Sequence, residues 1–464
     1  MLTAASRRSE RVISPRVAGA AFDALAAEVR SGHGDAVGFL VLDFAEASWQ
    51  APLGRSERRF FAAQLRGRIF VLLRAAQGSR GAPLLWARVA ALLCRLTQGV
   101  FEPGRARLAC YVDDPIVTLS SSRLVRDRHV ALVVYLWMAL GFPLSFSKGQ
   151  LGESVTWTSG QFRSEATNVV DVYGRRARTV ITVRVKASIT HETLLMTEGF
   201  LRQNVVSLRD LRAYAGKLAH ISSLVSTLRP FLRNIWGALS DAGEGSPSRA
   251  PPGCAWTKQV EATLRFVQSF LREEHGPIER IFDSDSHRGI GEQIDVLTDA
   301  SPWGLGALLV IDGAFFECIA GALTDEDFRR FGLAAGDCRG QQCWESLAIL
   351  VALRHWAPRW RGRRFCLRVR SDSVTALTML VSCRGTGASV NLIAREIALD
   401  LARSMYRPSV CEHIPSVSNK LPDLLSRLSE PGAPQALPRA LSGARRARPE
   451  ARTQAIFKTT GIFA

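Results

Sequence analysis

The sequence predicts an α+β chain: an antiparallel sheet flanked by helices, then a helical stretch, then an α/β segment. Three observations carry this. "ACYVDDPIV", Ala109 to Val117, sets two aspartates between apolar, β-branched flanks, the pattern of a hairpin tip. "SLRDLRAYAGKLAHISSLVSTLRPFLRNIWGAL", from Ser207, has apolar residues at helical spacing with basic residues between them. Residues 294–428 alternate strand-like and helix-like runs.

Taken in order, "VGFLVLDF" reads as a buried strand ending near Asp43. Residues 56–76 look helical and are broken by "GSRGAP"; residues 84–98 form an apolar helix. The hairpin at Asp113 follows, then a helix over about 122–140. The uncharged run "VALVVYLWMALGFPLSFS" approaches membrane-span length, but Gly141 and Pro143 make it a buried helix running into a turn. "SVTWTSGQF" and "RTVITVRV" alternate as strands. Residues 240–253, "SDAGEGSPSRAPPG", are a linker, and a helix over about 256–273 follows it. Paired strands near 294–320, a helix near 343–356 and a strand near 365–371 come next. The Pro/Ala/Arg-rich tail from Glu430 is expected to be disordered. The division expected is 1–205, 206–285, 286–430 and a basic tail over 431–464.

A chain of 464 residues suggests about three domains. Sixty Lys and Arg against 42 Asp and Glu give a net charge of +18, which favours polyanionic partners, nucleic acid first. The nine cysteines show no C-x-x-C pair and no zinc spacing, so they read as free thiols in a reducing compartment. No secretory signal is visible, and an intracellular protein, cytoplasmic or nuclear, is the expectation.

Adjacent carboxylates on a hairpin tip repel one another and call for a cation. Two-metal nucleotidyl transfer needs carboxylates from two strands, and Asp43 at a strand end supplies the second strand beside Asp113 and Asp114. Here the chain resembles the reverse transcriptases of LTR- and DIRS-type retroelements, over roughly residues 35–430. Asp43 stands in an "LDxxxAxxxxPL" context, "QGSRGAP" resembles "PQGxxxSP", and "YVDD" matches the Tyr-x-Asp-Asp box. "ALGFPLSFSKGQ" matches the later lysine segment, and the stretch from Val206 resembles the thumb. The resemblance implies a reverse-transcriptase palm and helical thumb. Asp43, Asp113 and Asp114 would be metal ligands. Ser48, Gln77, Gly78, Tyr111 and Lys148 would lie around the template and the incoming dNTP. The basic excess and the i, i+3 spacing on one helix face make Arg209 and Arg212 the candidates for binding hybrid phosphates, with Lys217 further round the helix.

The second half carries its own set. Asp299 lies in "VLTDASPWGLGALLV", Glu345 in "CWESLAILVALRHW", Asp372 in "LRVRSDSVTALTML" and Asp423 in "HIPSVSNKLPDLLSRL". These resemble the Asp-Glu-Asp-Asp site of retroelement ribonuclease H, an α/β fold, with His413, Pro415, Asn419, Leu425, Ser426 and Arg427 also matching the last motif. The resemblance implies two Mg²⁺ or Mn²⁺ ions per site; RNA template, DNA primer, RNA–DNA hybrid and dNTPs as partners; and His413 assisting water or product movement. His413 also reads as a hydrogen-bonded loop histidine. The glycines after Asp299 are expected to let a hybrid backbone come close.

Three positions depart from the family pattern. Ser48 stands where an aromatic residue excludes the 2′-hydroxyl, Ser416 replaces a Gly, and Pro422 replaces an Ala. Only 42 residues precede Asp43, too few for complete fingers, so an N-terminally truncated chain is expected. The rival reading is a catalytically silent nucleic-acid-binding remnant of the same fold. An RNA-virus-type polymerase is more distant, given the Tyr-Val before Asp113 and the second acidic set. Oligomeric state, template and priming mode stay open.

Overall fold

The computed structural model describes residues 37–447 apart from 80, 103, 172–173, 242–249, 275, 284–290, 361–364, 403–405, 407, 409 and 434–435. The expected remnant of the fingers, most of the 240–253 linker and the end of the tail lie outside the described residues. The chain divides into two units, residues 1–186 with 279–288 and residues 187–278 with 289–464.

In the first unit, strand β1 (Val37–Val41) is buried on both faces, as its unbroken apolar run requires. A single helical turn (α1, Ala47–Gln50) follows, then a ribbon of β2 (Ala62–Leu65) and β3 (Arg68–Val71). This ribbon corrects the helix expected over 56–76. Arg66 and Gly67 both have positive φ, 49° and 75°, which closes a two-residue turn, and Ile69, Phe70 and Val71 favour strand pairing. Next come α2 (Ala82–Gln98), β4 (Ala106–Tyr111), β5 (Asp114–Ser120), α3 (Arg123–Ala139), β6 (Gln150–Gly152), β7 (Ser154–Trp157), β8 (Gly160–Asp171) and β9 (Gly174–Val185). "SVTWTSGQF" is thus two strands around a turn, with positive φ at Thr158 and Ser159. One sheet has the order β4-β5-β1-β6, with every described pairing antiparallel. Its core joins Phe44, Trp86, Leu93 and Trp137, and the Trp137 indole donates to buried Thr97 at 2.7 Å.

The second unit opens with α4 (Ala187–Leu201), β10 (Val205–Ser207), α5 (Leu208–Leu224), α6 (Leu232–Asp241), β11 (Cys254–Trp256) and α7 (Thr257–Leu271). Strand β12 (Glu279–Asp283) belongs to the first unit, where it pairs antiparallel with β9. The sheet of the second unit follows: β13 (Glu292–Ala300), β14 (Gly304–Ile311), β15 (Ala314–Ala322), α8 (Asp325–Phe331), α9 (Gln341–Trp360), β16 (Phe365–Ser371), α10 (Val374–Ser382), α11 (Ala388–Ala402), β17 (Val410–His413), α12 (Lys420–Arg427) and β18 (Arg445–Ala447). Its order is β17-β16-β13-β14-β15-β18, with β13–β14–β15 antiparallel and β16 and β17 added in parallel. Helix α9 lies in the core, and buried Arg354 on it pairs with Glu396 and Asp400 of α11, each at 2.6 Å.

Two boundaries differ from expectation. The first unit ends at Lys186, ahead of the boundary at 205. The helices of the expected thumb share a compact unit with the C-terminal sheet, tied to it by Asn391 Nδ2 donating to the Pro230 carbonyl at 3.0 Å. The tail is also ordered in part, since Leu441 is fully buried and β18 pairs with β15. A low-complexity composition does not prevent a short segment from closing an open sheet edge. Among the described residues no helix is long and apolar enough to cross a membrane.

Candidate metal-binding acidic sites

In the first unit, strand register sets the geometry. Leu40 and Val41 pair with Val117 and Ile116, and the Leu42 amide donates to the Pro115 carbonyl at 3.3 Å. Beyond the strand end, Asp43 comes near enough to Asp114 to act on its carboxyl. Asp113 sits in the turn between β4 and β5 and Asp114 opens β5, so the hairpin expected from "YVDD" is present. Its turn carries Val112 at φ 58°, a conformation that costs a β-branched residue energy and that clusters at functional sites. The Trp157 indole pins the far side by donating to the Asp114 carbonyl at 2.8 Å.

Burial, with help from Asp113 and Asp43, pushes the Asp114 carboxyl up to about 6. The Lys148 ammonium donates to Asp43 at 2.5 Å, and this bond raises the lysine. A cleft of about 380 Å³ gathers Asp43, Asp113, Lys148, Gln77 and Trp49. Gly78, at φ 86°, adjoins Gln77 in an exposed turn. Tyr111 pairs in register with Asp114, and its phenol is raised by burial and by that carboxylate. The side chain of Ser48 lies outside the described residues.

The second unit brings its acids closer. Asp299 on β13, Glu345 on α9 and Asp372 just past β16 each offer an oxygen within 4.8 Å of the others. Among the described residues no other group of three or more acidic, His or Cys side chains is that tight. Asp299 and Glu345 are 4% and 6% exposed. Burial first, then neighbouring carboxylates, pushes Asp299 up to about 7 and Glu345 up to about 9. Glu345 Oε2 is buried with no hydrogen-bond partner, while Oε1 accepts from Gln341 at 2.8 Å. An orphaned carboxylate oxygen among three converging acids fits a divalent cation, whose charge would let all three ionise.

The remaining oxygens are held from one short segment. The Asn419 amide donates to Asp299 Oδ1 and to Asp372 Oδ1, both at 3.3 Å. Ser426 donates to Asp299 Oδ2 at 3.0 Å, and Ser416 to Asp372 Oδ2 at 2.7 Å. Asn419 and Ser426 were legible as motif matches without a role. Gln341 was missed, and its place one helical turn before Glu345 was the available signal.

Asp423 stands apart from the cluster. It contributes to raising Asp299 but is bonded to Arg427 at 2.7 Å and partly exposed. His413 is exposed at the end of β17, paired in register with Ser371, the residue before Asp372. Gly304 and Gly306 correct an expectation. A Cβ at Gly306 would lie 2.1 Å from the Pro422 carbonyl, and one at Gly304 would lie 2.6 Å from that of Ser426. These glycines admit helix α12 to the sheet rather than a nucleic acid backbone. Arg209 and Arg212 are exposed on α5, while Lys217 is ion-paired with Glu192.

No protein-family model and no curated protein matches the sequence. Solved structures similar to the chain include the foamy viral protease-reverse transcriptase dRH in complex with double-stranded DNA, 15% identical with a TM-score of 0.38 over 84% of this chain and 59% of that one. The foamy viral protease-reverse transcriptase in complex with RNA/DNA hybrid is 13% identical, with a TM-score of 0.38 over 84% of this chain and 45% of that one. The chain therefore spans about three fifths of the first and under half of the second.

Proposed function

We propose that the chain is an RNA-directed DNA polymerase of a retroelement, joined to a ribonuclease H that cuts the RNA strand of a hybrid. Dependence on Mg²⁺ or Mn²⁺, two ions per site, is part of this reading. The observation that carries it is the buried cluster of Asp299, Glu345 and Asp372 with Glu345 Oε2 left unpartnered.

When bound, divalent cations would supply an activated water and neutralise charge on the departing oxygen. The chain's own residues hold the ligands in place. Asn419 and Ser426 fix Asp299, Asn419 and Ser416 fix Asp372, and Gln341 turns Glu345 so that Oε2 stays open. In the first unit Asp43, Asp113 and Asp114 would hold the polymerase cations, with Lys148 and Gln77 beside the triphosphate and base pair. The second reading is a catalytically silent nucleic-acid-binding remnant, and at the first site the Lys148–Asp43 ion pair over the first carboxylate favours it.

The test uses the full chain with Mg²⁺ or Mn²⁺ and an end-labelled RNA annealed to DNA. Cleavage confined to the RNA strand is expected. Asp372→Asn should lower the rate at least ~10³-fold, while hybrid binding stays within about twofold, because it removes a metal ligand and no phosphate contact. Equal cleavage by wild type and Asp372→Asn would overturn the assignment. Primer extension on an RNA template separates the active from the silent polymerase.

A further inference from the structure

Helix α2 lies along the open edge of the sheet that carries the Asp113–Asp114 turn. Strand β4 is the outer strand there, and the Gln98 side chain bonds two of its backbone groups. Its Nε2 donates to the Ala106 carbonyl at 2.7 Å, and its Oε1 accepts from the Leu108 amide at 3.0 Å. This pair of hydrogen bonds fixes the end of the helix against the strand. One turn back from Gln98, about 6 Å, matches in length two residues forward from Leu108, about 6.7 Å. Those steps end on Cys94 and Cys110.

The two thiols are neighbours. Contact with Cys110 lowers the Cys94 thiol below its ordinary value, and contact with Cys94 raises Cys110. Both are part-buried and unbridged. Cys110 also reaches the turn, since its Sγ–H donates to the Val112 carbonyl at 3.5 Å. Val112 is the residue at φ 58° immediately before Asp113. Cys110 is therefore bonded to the positive-φ residue that leads into the Asp113–Asp114 turn.

We infer that Cys94 and Cys110 form an oxidative modification site, taking a reversible intramolecular disulfide beside the Asp113–Asp114 turn. With a peroxide as oxidant the step balances. The Cys94 thiolate attacks one peroxide oxygen, the O–O bond breaks, and a sulfenic acid and hydroxide result. The Cys110 thiol then attacks that sulfur, its proton leaves with the sulfenic hydroxyl as water, and the S–S bond forms. Two cysteines are oxidised and one peroxide is reduced to two waters. A dithiol reverses the bond by exchange. The disulfide removes the Sγ–H donor from the Val112 carbonyl and ties the turn to helix α2. Its formation depends on the thiols alone; its effect on nucleotidyl transfer rests on the polymerase reading above.

The experiment titrates the reduced, folded full chain with hydrogen peroxide, blocks remaining thiols by alkylation and maps tryptic peptides by mass. The expected product links peptide 89–95, VAALLCR, to peptide 108–123, LACYVDDPIVTLSSSR. It should appear at a peroxide dose about tenfold below the one that oxidises exposed Cys338, and dithiothreitol should remove it. In Cys94→Ser, Cys110 should stay reduced at that dose, with unchanged thermal unfolding showing that the fold is kept. Absence of the linked peptide, oxidation of Cys338 first, or equal oxidation of Cys110 in Cys94→Ser would each overturn the assignment. None of these outcomes depends on whether the chain polymerises.

Discussion

Ser416 shows how one side chain sets a carboxylate. Its hydroxyl donates to Asp372 Oδ2 at 2.7 Å and, with Asn419 on Oδ1, leaves Asp372 one orientation. Groups that orient metal ligands are worth about 10–100-fold in metal affinity. Ser416→Ala should weaken Mn²⁺ binding about tenfold and Ser416→Thr should restore it, as read by calorimetry in an Asp113→Asn background that silences the first site. Equal affinity in all three proteins would show that the bond is idle. Glu345 sets a second expectation. Its folded pKa, about 9, lies far above that of an unfolded glutamate, so the folded state resists ionisation. Without metal, this group takes nothing from stability below about pH 4; its cost grows as the unfolded chain loses its proton and levels off near pH 9. Asp299, pushed up to about 7, acts in the same direction over a narrower window. In EDTA the unfolding temperature should therefore fall from pH 5 to pH 9. Glu345→Gln keeps the acceptor for Gln341 and should flatten that slope, stabilising the protein at pH 8 by ~2 kcal/mol, or about 4–8 °C. A steeper slope in Glu345→Gln would refute the assignment.

At the scale of elements, the glycines of β14 decide where α12 lies. The helix carries Asp423 and Ser426, and it packs against Gly304 and Gly306 at distances no Cβ could share. Gly306→Ala should push α12 off the sheet, lower stability by ~1–3 kcal/mol and weaken Mn²⁺ binding through loss of the Ser426–Asp299 bond. A variant with unchanged unfolding temperature and unchanged binding would show that α12 tolerates the shift. This packing also marks the limit of what the sequence discloses. Strand ends carrying Asp43, Asp299 and Asp372, and a helix carrying Glu345, follow from local apolar patterns and were legible. That Gly306 faces Pro422, 116 positions away, is a tertiary fact with no local signature. Residues 62–71 failed for a related reason: spaced apolar residues fit helix and strand alike, and Arg66–Gly67 turn geometry decided for the hairpin. The role of Ser416 stayed hidden because a Ser in place of a Gly reads as loss until its partner is seen.

For the molecule as a whole, a net charge of +18 promises affinity for nucleic acid but does not say where. Ion pairing narrows the choice. Lys217 is taken up by Glu192, and Arg354 and Arg427 are bound to carboxylates. Arg209 and Arg212 sit one turn apart on α5, exposed, on the same face. The helix starts at Ser207, whose hydroxyl accepts from the Asp210 amide at 3.0 Å and fixes the first turn that carries Arg209. A rigid helix presenting two guanidinium groups about 5 Å apart along its axis suits successive phosphates of one strand. Each phosphate neutralised steepens the fall of log affinity with log salt by about 0.9 on a duplex. Hybrid binding by the full chain, measured from 50 to 300 mM KCl in EDTA so that nothing is cut, should give a straight line. Arg209→Ala with Arg212→Ala should reduce its slope by about 1–2 and weaken binding alike for hybrids of unrelated sequence, whereas Lys217→Ala should leave the slope within about 0.3. Parallel lines for the double variant and wild type would move the phosphate contacts elsewhere on the basic surface. A wild-type line that is flat would leave the charge unconnected to nucleic acid and refute hybrid binding as the purpose of this face.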